Sequence, residues 1–147
     1  MSKPVVITLT VEAAKLYGMI NPKQVDIDSC CLLSDNNSGY SPDKTLENFT
    51  SFVFLNELVS WDGLTKDSGY TISIDSIVYK PKPDSVNFFD STTIKGSGGS
   101  SGIVKAKVKD DKSLIGKTYI YSINFSVYKS NNDFKSFSID PKLQINP

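Results

Sequence analysis

The longest regular pattern of apolar and polar positions in the chain lies at residues 117–129 and has a period of two. Its apolar positions are Tyr119, Tyr121, Ile123, Phe125 and Val127. Because successive side chains of a strand point to opposite faces, this alternation predicts a long β-strand with one buried face and one mostly polar face. A strand of this kind is typical of an antiparallel sheet that packs on a second sheet.

Shorter strand-like stretches lie on both sides of this one, at residues 5–11, 25–33, 49–58, 70–80, 103–109, 134–139 and 143–145. Only residues 12–19 have a helix-like pattern, and this segment ends at Gly18 or before Pro22. We therefore predict an all-β protein, an antiparallel β-sandwich of Greek-key or jelly-roll type. It should contain about eight or nine strands and one short helix near the N-terminus, and residues 1–147 should form a single domain.

Details within the strand-like stretches predict bulges and edges. The alternation slips by one residue near Asp75, which predicts a β-bulge. Lysines at every second position of residues 105–109 predict a solvent-facing or edge strand. The Gly- and Ser-rich residues 95–102 predict a mobile hairpin or edge loop. The terminal strands at 5–11 and 143–145 have no such lysine row, so we expect them to be unguarded edges.

The composition excludes several kinds of chemistry. The chain has 16 basic and 16 acidic residues, and it contains neither His nor Arg. Without His there is no imidazole for acid–base or nucleophilic catalysis. Without Arg there is no bidentate clamp for phosphate or guanine. We therefore expect a protein that is not an enzyme and does not bind nucleic acid.

The chain shows no membrane or export signal. No apolar run approaches the length of about 18 residues that a membrane span needs. The apolar stretch 5–11 is too short for a signal peptide and already alternates. Cys30 and Cys31 are adjacent and cannot form an ordinary disulfide with each other. We therefore predict a cytoplasmic protein with free thiols and no membrane partner.

Two groups of residues are candidates for binding. Asp26 and Asp28 belong to an acidic group that Asn56 and Asp62 could join if the sheets fold back, and calcium requires several such oxygen ligands. The alternative is that these residues are solvated turns. The aromatic residues Trp61, Tyr40 and Tyr128 lie near predicted loops or on the polar face. Exposed rings beside polar groups can bind a glycan or a protein, whereas the favoured alternative for Trp61 is that it plugs one end of the sandwich.

Several segments resemble the PixA/AidA family of bacterial inclusion-body proteins. They are VVITLTVEAAKLY near the N-terminus, the segment from Leu58 to Trp61, YIYSINFSVYK, and a C-terminal segment with Asp140 and Pro141. The resemblance follows most of the chain in order, through short motifs. It implies a small β protein of the cytosol with no enzymatic activity.

A second resemblance is to the TerD-like family of calcium-binding stress proteins. VDIDS at residues 25–29 and FVFLNEL at 52–58, with Asp62 and Gly63, are similar to that family's segments. The resemblance implies calcium ligands at Asp26, Asp28, Asn56 and Asp62. The acidic run that should follow is reduced to residues 67–69.

Together these features predict a non-enzymatic protein that forms a homo-oligomer or an array. A net charge of zero weakens repulsion between copies. Unguarded terminal edges and the surplus aromatic residues Tyr40 and Tyr128 would provide contacts. The alternatives are a calcium-binding stress protein, for which calcium would be the only cofactor, and a carbohydrate-binding module.

Overall fold

The computed structural model describes residues 2–146 and folds them into two β-sheets that pack face to face, which confirms the predicted β-sandwich. Two short helices, α1 (Ala13–Tyr17) and α2 (Gln24–Ser29), and a 3-10 turn (Lys112–Leu114) accompany the strands. The strands are β1 (Val5–Val11), β2 (Cys31–Asp35), β3 (Thr50–Val53), β4 (Leu58–Leu64), β5 (Thr71–Tyr79), β6 (Thr93–Lys95), β7 (Val104–Lys107), β8 (Thr118–Ser130), β9 (Asp133–Ile139) and β10 (Lys142–Ile145).

The strands divide into a four-stranded and a six-stranded sheet. The first has the order β2-β1-β4-β7, and the second has the order β3-β10-β8-β5-β6, with β9 also paired to β8. Two pairings, β1 with β4 and β3 with β10, are parallel, so the sheets are mixed rather than antiparallel throughout. Parallel neighbours need a long crossover, and in both cases other strands lie between them in the sequence.

Strand β8 is the long strand that the alternation predicts. Its apolar positions from Tyr119 to Val127 are at most 1% exposed and face the four-stranded sheet. The indole Nε1–H of Trp61 on β4 donates a hydrogen bond to the Tyr121 hydroxyl at 3.1 Å, across the core. The predicted bulge is also present, because the pairing of β5 with β8 shifts between Ile74 and Ser76.

The prediction of a strand at residues 25–33 is wrong for its first half, which forms α2. The carboxylate of Asp26 accepts a hydrogen bond from the Lys23 backbone N–H at 2.9 Å and caps the helix start. Ile27 and Cys30 are buried and three positions apart, which suits a helix, while Val25 is 70% exposed. Strand β2 begins only at Cys31.

The predicted strand at 49–58 is two strands joined by a turn. β3 ends at Val53, Asn56 has a positive φ of 62°, and β4 begins at Leu58. Gly63 lies within β4, and a Cβ there would come within 2.4 Å of the Ile72 side chain. Glycine is therefore required for the close approach of β4 to β5.

The terminal strands are interior, so the expectation that they form unguarded edges is wrong. β1 lies between β2 and β4, and β10 lies between β3 and β8. By contrast, β7 with Lys105 and Lys107 is at an edge, as the lysine row indicates.

The Gly-rich loop follows the β5 edge at the bulge, where Gly96 N–H donates to Asp75 O at 2.8 Å and Gly102 O accepts from Ile74 N–H at 2.9 Å. Within residues 2–146, no helix has the length and apolar character needed to cross a membrane.

Candidate interaction surface

The structure distributes the predicted calcium ligands over three places. Asp26 and Asp28 are on α2, where Asp28 accepts a hydrogen bond from Gln24 at 2.8 Å. Asp62 is on β4 and accepts from the Thr8 hydroxyl at 3.0 Å, and Asn56 is in the turn before β4. The part of the chain that the structure describes contains no group of three or more acidic or Cys side chains that could hold a metal ion. Calcium binding stays a prediction from sequence, with no ligand cluster to support it.

Trp61, the first of the three predicted interaction residues, lies in the core. Its side chain is 1% exposed and packs edge-on against Phe89 and Tyr121, with ring centroids 5.9 and 5.8 Å away. Its ring therefore stabilises the packing of the two sheets and is not presented to a ligand in this structure.

Tyr40 lies at the surface beside the edge strand β2. It is 59% exposed, and the neighbouring Leu32 is 65% exposed. The two side chains border a groove of about 380 Å³ whose other apolar walls include Leu46 and Phe49. Leu32 was not identified as a candidate, although the alternation of residues 25–33 places it on the face opposite Cys31 and Leu33.

Tyr128 forms an aromatic pair on the outer face of the six-stranded sheet. Its ring stacks on Phe134 of β9 with the centroids 4.7 Å apart, and Phe134 is 50% exposed. On its other side, Tyr128 lines a pocket of about 260 Å³ together with Tyr70, Ser130 and Asn131. The sequence analysis did not identify Phe134. The signal was present, because Phe134 and Phe137 are three positions apart and a strand places two such residues on opposite faces.

The outer side of β9 is an open sheet edge. β9 and β10 pair with β8 in one continuous register, since Ile123 is opposite Ile139 and Ile120 is opposite Lys142. β3 covers the outer side of β10, but no strand among the described residues pairs with the outer side of β9. Residues 133–136 of β9 are all exposed. An open edge of this kind presents unpaired N–H and C=O groups to another chain.

The other sheet ends are protected or short. β7 carries the exposed lysines 105 and 107, and β6 has only three residues. The backbone of Tyr40 forms two hydrogen bonds with Thr50 of β3, and the Asn37 side chain donates to Phe52 O at 2.8 Å. β2, at the end of the four-stranded sheet, has five residues. With seven residues, β9 is the longest of the edge strands in the part of the chain that the structure describes.

Charged side chains of β9 hold α1 against the inner side of this edge. The Tyr17 hydroxyl donates to the Asp133 carboxylate, and this hydrogen bond raises the pKa of Tyr17. The Lys135 ammonium donates to the Tyr17 carbonyl at 2.7 Å and lies 4.7 Å from the centre of its ring. These contacts fix the positions of Asp133 and Lys135, so the edge presents one acidic and one basic side chain.

The two cysteines border a separate pocket of about 340 Å³ beside Glu12, Lys66 and Asp67. Cys30 is 2% exposed. Burial raises the pKa of the Cys31 thiol to about 12. Because the thiolate is the nucleophilic form, a thiol that stays protonated at neutral pH is a poor nucleophile.

Comparison with solved structures relates this chain to proteins of known fold. No family model and no curated protein matches the sequence. The structure is similar to the crystal structure of an inclusion body protein, PixA, from Burkholderia cenocepacia J2315, with a TM-score of 0.63. The match covers 99% of this chain and 96% of that chain at 9% sequence identity. The chain therefore has the fold of PixA, which confirms at the level of fold the resemblance seen in the sequence.

Proposed function

We propose that this chain is a non-enzymatic cytoplasmic protein that associates with itself into a homo-oligomer or an ordered array. The observation that carries the proposal is the open edge of β9, bordered by the exposed aromatic pair of Tyr128 and Phe134. A strand whose outer edge is unpaired and has apolar residues beside it is suited to binding another strand.

Charge and fold support the same proposal. The formal net charge is zero and the isoelectric point is about 6.2, so long-range repulsion between copies is weak at neutral pH. The protein of the same fold from Burkholderia cenocepacia is described as an inclusion body protein. Inclusion bodies consist of associated protein, and the proposal extends this property from that protein to the present chain.

The proposal that the chain is not an enzyme rests on its side chains. The sequence has no His, and the two thiols are buried or held protonated at neutral pH. The free thiols also support the proposed cytoplasmic location, since disulfides are rare in that compartment. Saturable turnover of a substrate, abolished by one point mutation, would contradict this part of the proposal.

Sedimentation velocity over a hundredfold range of protein concentration tests self-association. The measurements should be made in low salt, both at pH 7 and at the isoelectric point of about 6.2. We expect the weight-average sedimentation coefficient to rise with concentration. A single species of monomer size under all these conditions would overturn the proposal.

A carbohydrate-binding module is the second candidate function. The pocket between Tyr70 and Tyr128 combines aromatic rings with the hydroxyl of Ser130 and the amide of Asn131. Rings of this kind stack on the apolar face of a sugar while neighbouring polar groups bind its hydroxyls. A glycan array separates this candidate from the first, because binding should be lost in Tyr128→Ala and kept in Tyr40→Ala.

A further inference from the structure

The direction of the backbone groups on β9 follows from its pairing with β8. β9 and β10 pair with β8 in one continuous register, in which Tyr121 N–H donates to Pro141 O. The odd-numbered residues of β9 and β10 therefore point their N–H and C=O groups toward β8. Even-numbered residues point them outward, and the Lys142 N–H accordingly donates to Phe49 O on the β3 side. Phe134, Ser136 and Ser138 therefore face the open edge.

Only part of this edge is available for pairing. The carbonyl of Ser138 already accepts a hydrogen bond from the Gln24 side chain of α2 at 2.9 Å. The outward backbone groups of Phe134 and Ser136 have no hydrogen-bond partner among residues 2–146. The free segment is therefore the end of β9 near the turn that follows β8.

Four symmetric antiparallel registers, centred on residues 133, 134, 135 or 136, would place two copies of this edge side by side, and charge and the occupied Ser138 carbonyl together select one of them. A register centred on Ser136 would place Phe134 of one copy opposite Ser138 of the other, whose carbonyl already accepts a hydrogen bond from Gln24. Centring on Lys135 would place two lysines directly opposite each other, and centring on Asp133 would place two aspartates opposite each other; both arrangements are destabilising. Centring on Phe134 places Asp133 of each copy opposite Lys135 of the other, and it places the two Phe134 residues opposite each other.

We propose that β9 pairs with β9 of a second copy about a two-fold axis at Phe134. The proposal rests on the self-association proposed above and names the surface that performs it. The two six-stranded sheets join into one continuous sheet, and the Tyr128–Phe134 stacks of both copies meet on its outer face. Such an interface is isologous, so it closes as a dimer, and a larger array would need a further surface.

Charge reversal tests the register. Lys135→Glu places two carboxylates opposite each other, so we expect sedimentation to show at least tenfold weaker association than in the wild type. Lys105→Glu changes the charge equally on the exposed edge strand β7 and should associate like the wild type. The double variant D133K/K135E restores opposite charges and should restore association. If the wild type associates but Lys135→Glu associates equally, the interface is elsewhere and self-association still stands.

The same experiment separates the remaining outcomes. A monomeric wild type overturns both the interface and the proposed function. If Lys135→Glu weakens association but D133K/K135E does not recover it, the register centred on Phe134 is wrong. Circular dichroism on each variant shows whether the fold is kept, since Asp133 and Lys135 also contact Tyr17.

A disulfide trap tests the symmetry axis. In a hydrogen-bonded antiparallel pair the Cα atoms are about 5.5 Å apart, which is within the range for a disulfide. Phe134→Cys should therefore form a cross-linked dimer under mild oxidation. Ser136→Cys, also exposed, should not, because its two copies would be about 13 Å apart, four strand residues along the axis. Equal cross-linking of the two variants, or none above the wild-type background in an associating protein, would overturn the proposal.

Discussion

The two faces of β8 differ although they belong to the same strand. The inner face consists of large apolar and aromatic side chains from Tyr119 to Val127, at most 1% exposed. Within this face, the Tyr119 ring packs against four other aromatic rings, with centroid distances from 5.1 to 5.7 Å. This face stabilises the sandwich by burying apolar area.

The outer face is a network of short polar side chains. Ser126 donates to Asp75 and contacts Ser136 at 2.8 Å, and Asn124 donates to the Ser76 hydroxyl at 3.0 Å. These polar groups satisfy one another, so they fix strand positions with little apolar burial. Apart from Ile120, the large apolar side chains on this face lie at the C-terminal end of β8, where Tyr128 stacks on Phe134 beside the open edge. The difference separates the part of β8 that holds the fold from the part that is available for association.

The largest expected effect comes from truncating the inner face. Phe125→Ala removes a fully buried ring that contacts Phe137, and it should lower the free energy of unfolding by about 3–5 kcal/mol. The adjacent Asn124→Ala removes one hydrogen bond on the outer face and should cost about 1 kcal/mol or less. Chemical denaturation of both variants measures the difference. Equal costs would contradict the assignment of faces.

Alkaline pH should destabilise the inner face through its tyrosines. Burial raises the pKa of Tyr119 and of Tyr121 above the ordinary value. Below pH about 10 both phenols are protonated in the folded and the unfolded chain, so their contribution to stability is complete. Above that pH the unfolded chain loses protons that the folded chain keeps, so stability falls by about 1.4 kcal/mol per pH unit for each phenol.

We therefore expect the free energy of unfolding to fall by about 2–3 kcal/mol between pH 9.5 and 11, from the two phenols together. Denaturant unfolding at both pH values measures it. The double variant Y119F/Y121F has no phenol at these positions, so its free energy of unfolding should fall by that much less over the same pH range. An identical pH dependence in the two proteins would contradict the assigned cause.

The two tyrosines should also differ from each other. Tyr121→Phe leaves the buried Trp61 Nε1–H without its acceptor, and should cost about 1–3 kcal/mol. The buried Tyr119 hydroxyl has no hydrogen-bond partner within residues 2–146, so Tyr119→Phe should be neutral or stabilising. Thermal unfolding at pH 7 compares them directly. A larger cost for Tyr119→Phe would show that its hydroxyl has a partner, such as a bound water.

The elements that the sequence predicts well are those with local signals. Three features were predicted from signals that each lie within one strand. They are the alternation of β8, the slip at the β5 bulge and the lysines of β7. Helix α2 escaped prediction because Val25, Asp26, Ile27 and Asp28 alternate as a strand does. Contacts outside the segment favour the helix, such as that of Gln24 with the carbonyl of Ser138.

Strand neighbours were the least predictable feature, and they decide the interaction surface. Nothing in the sequence of β1 or β10 indicates that each has a partner on both sides. The exposed aromatic residues Tyr40 and Tyr128 were identified from their places in the sequence. The importance of Phe134 depends on the absence of a strand beside β9 in the described structure, a property of the whole sheet order.

The smallest expected effect concerns the outer network itself. Ser126 is 2% exposed and donates to the carboxylate of Asp75, so Ser126→Ala should lower the free energy of unfolding by about 1 kcal/mol. Ser136→Ala removes the other hydroxyl of the pair, but Ser136 is exposed and water can replace it, so we expect a change near zero. Denaturant unfolding of both variants, with Phe125→Ala measured alongside, ranks the three positions. A cost for Ser126→Ala as large as that for Phe125→Ala would mean that the outer face also holds the fold, and the division of β8 into two functions would be wrong.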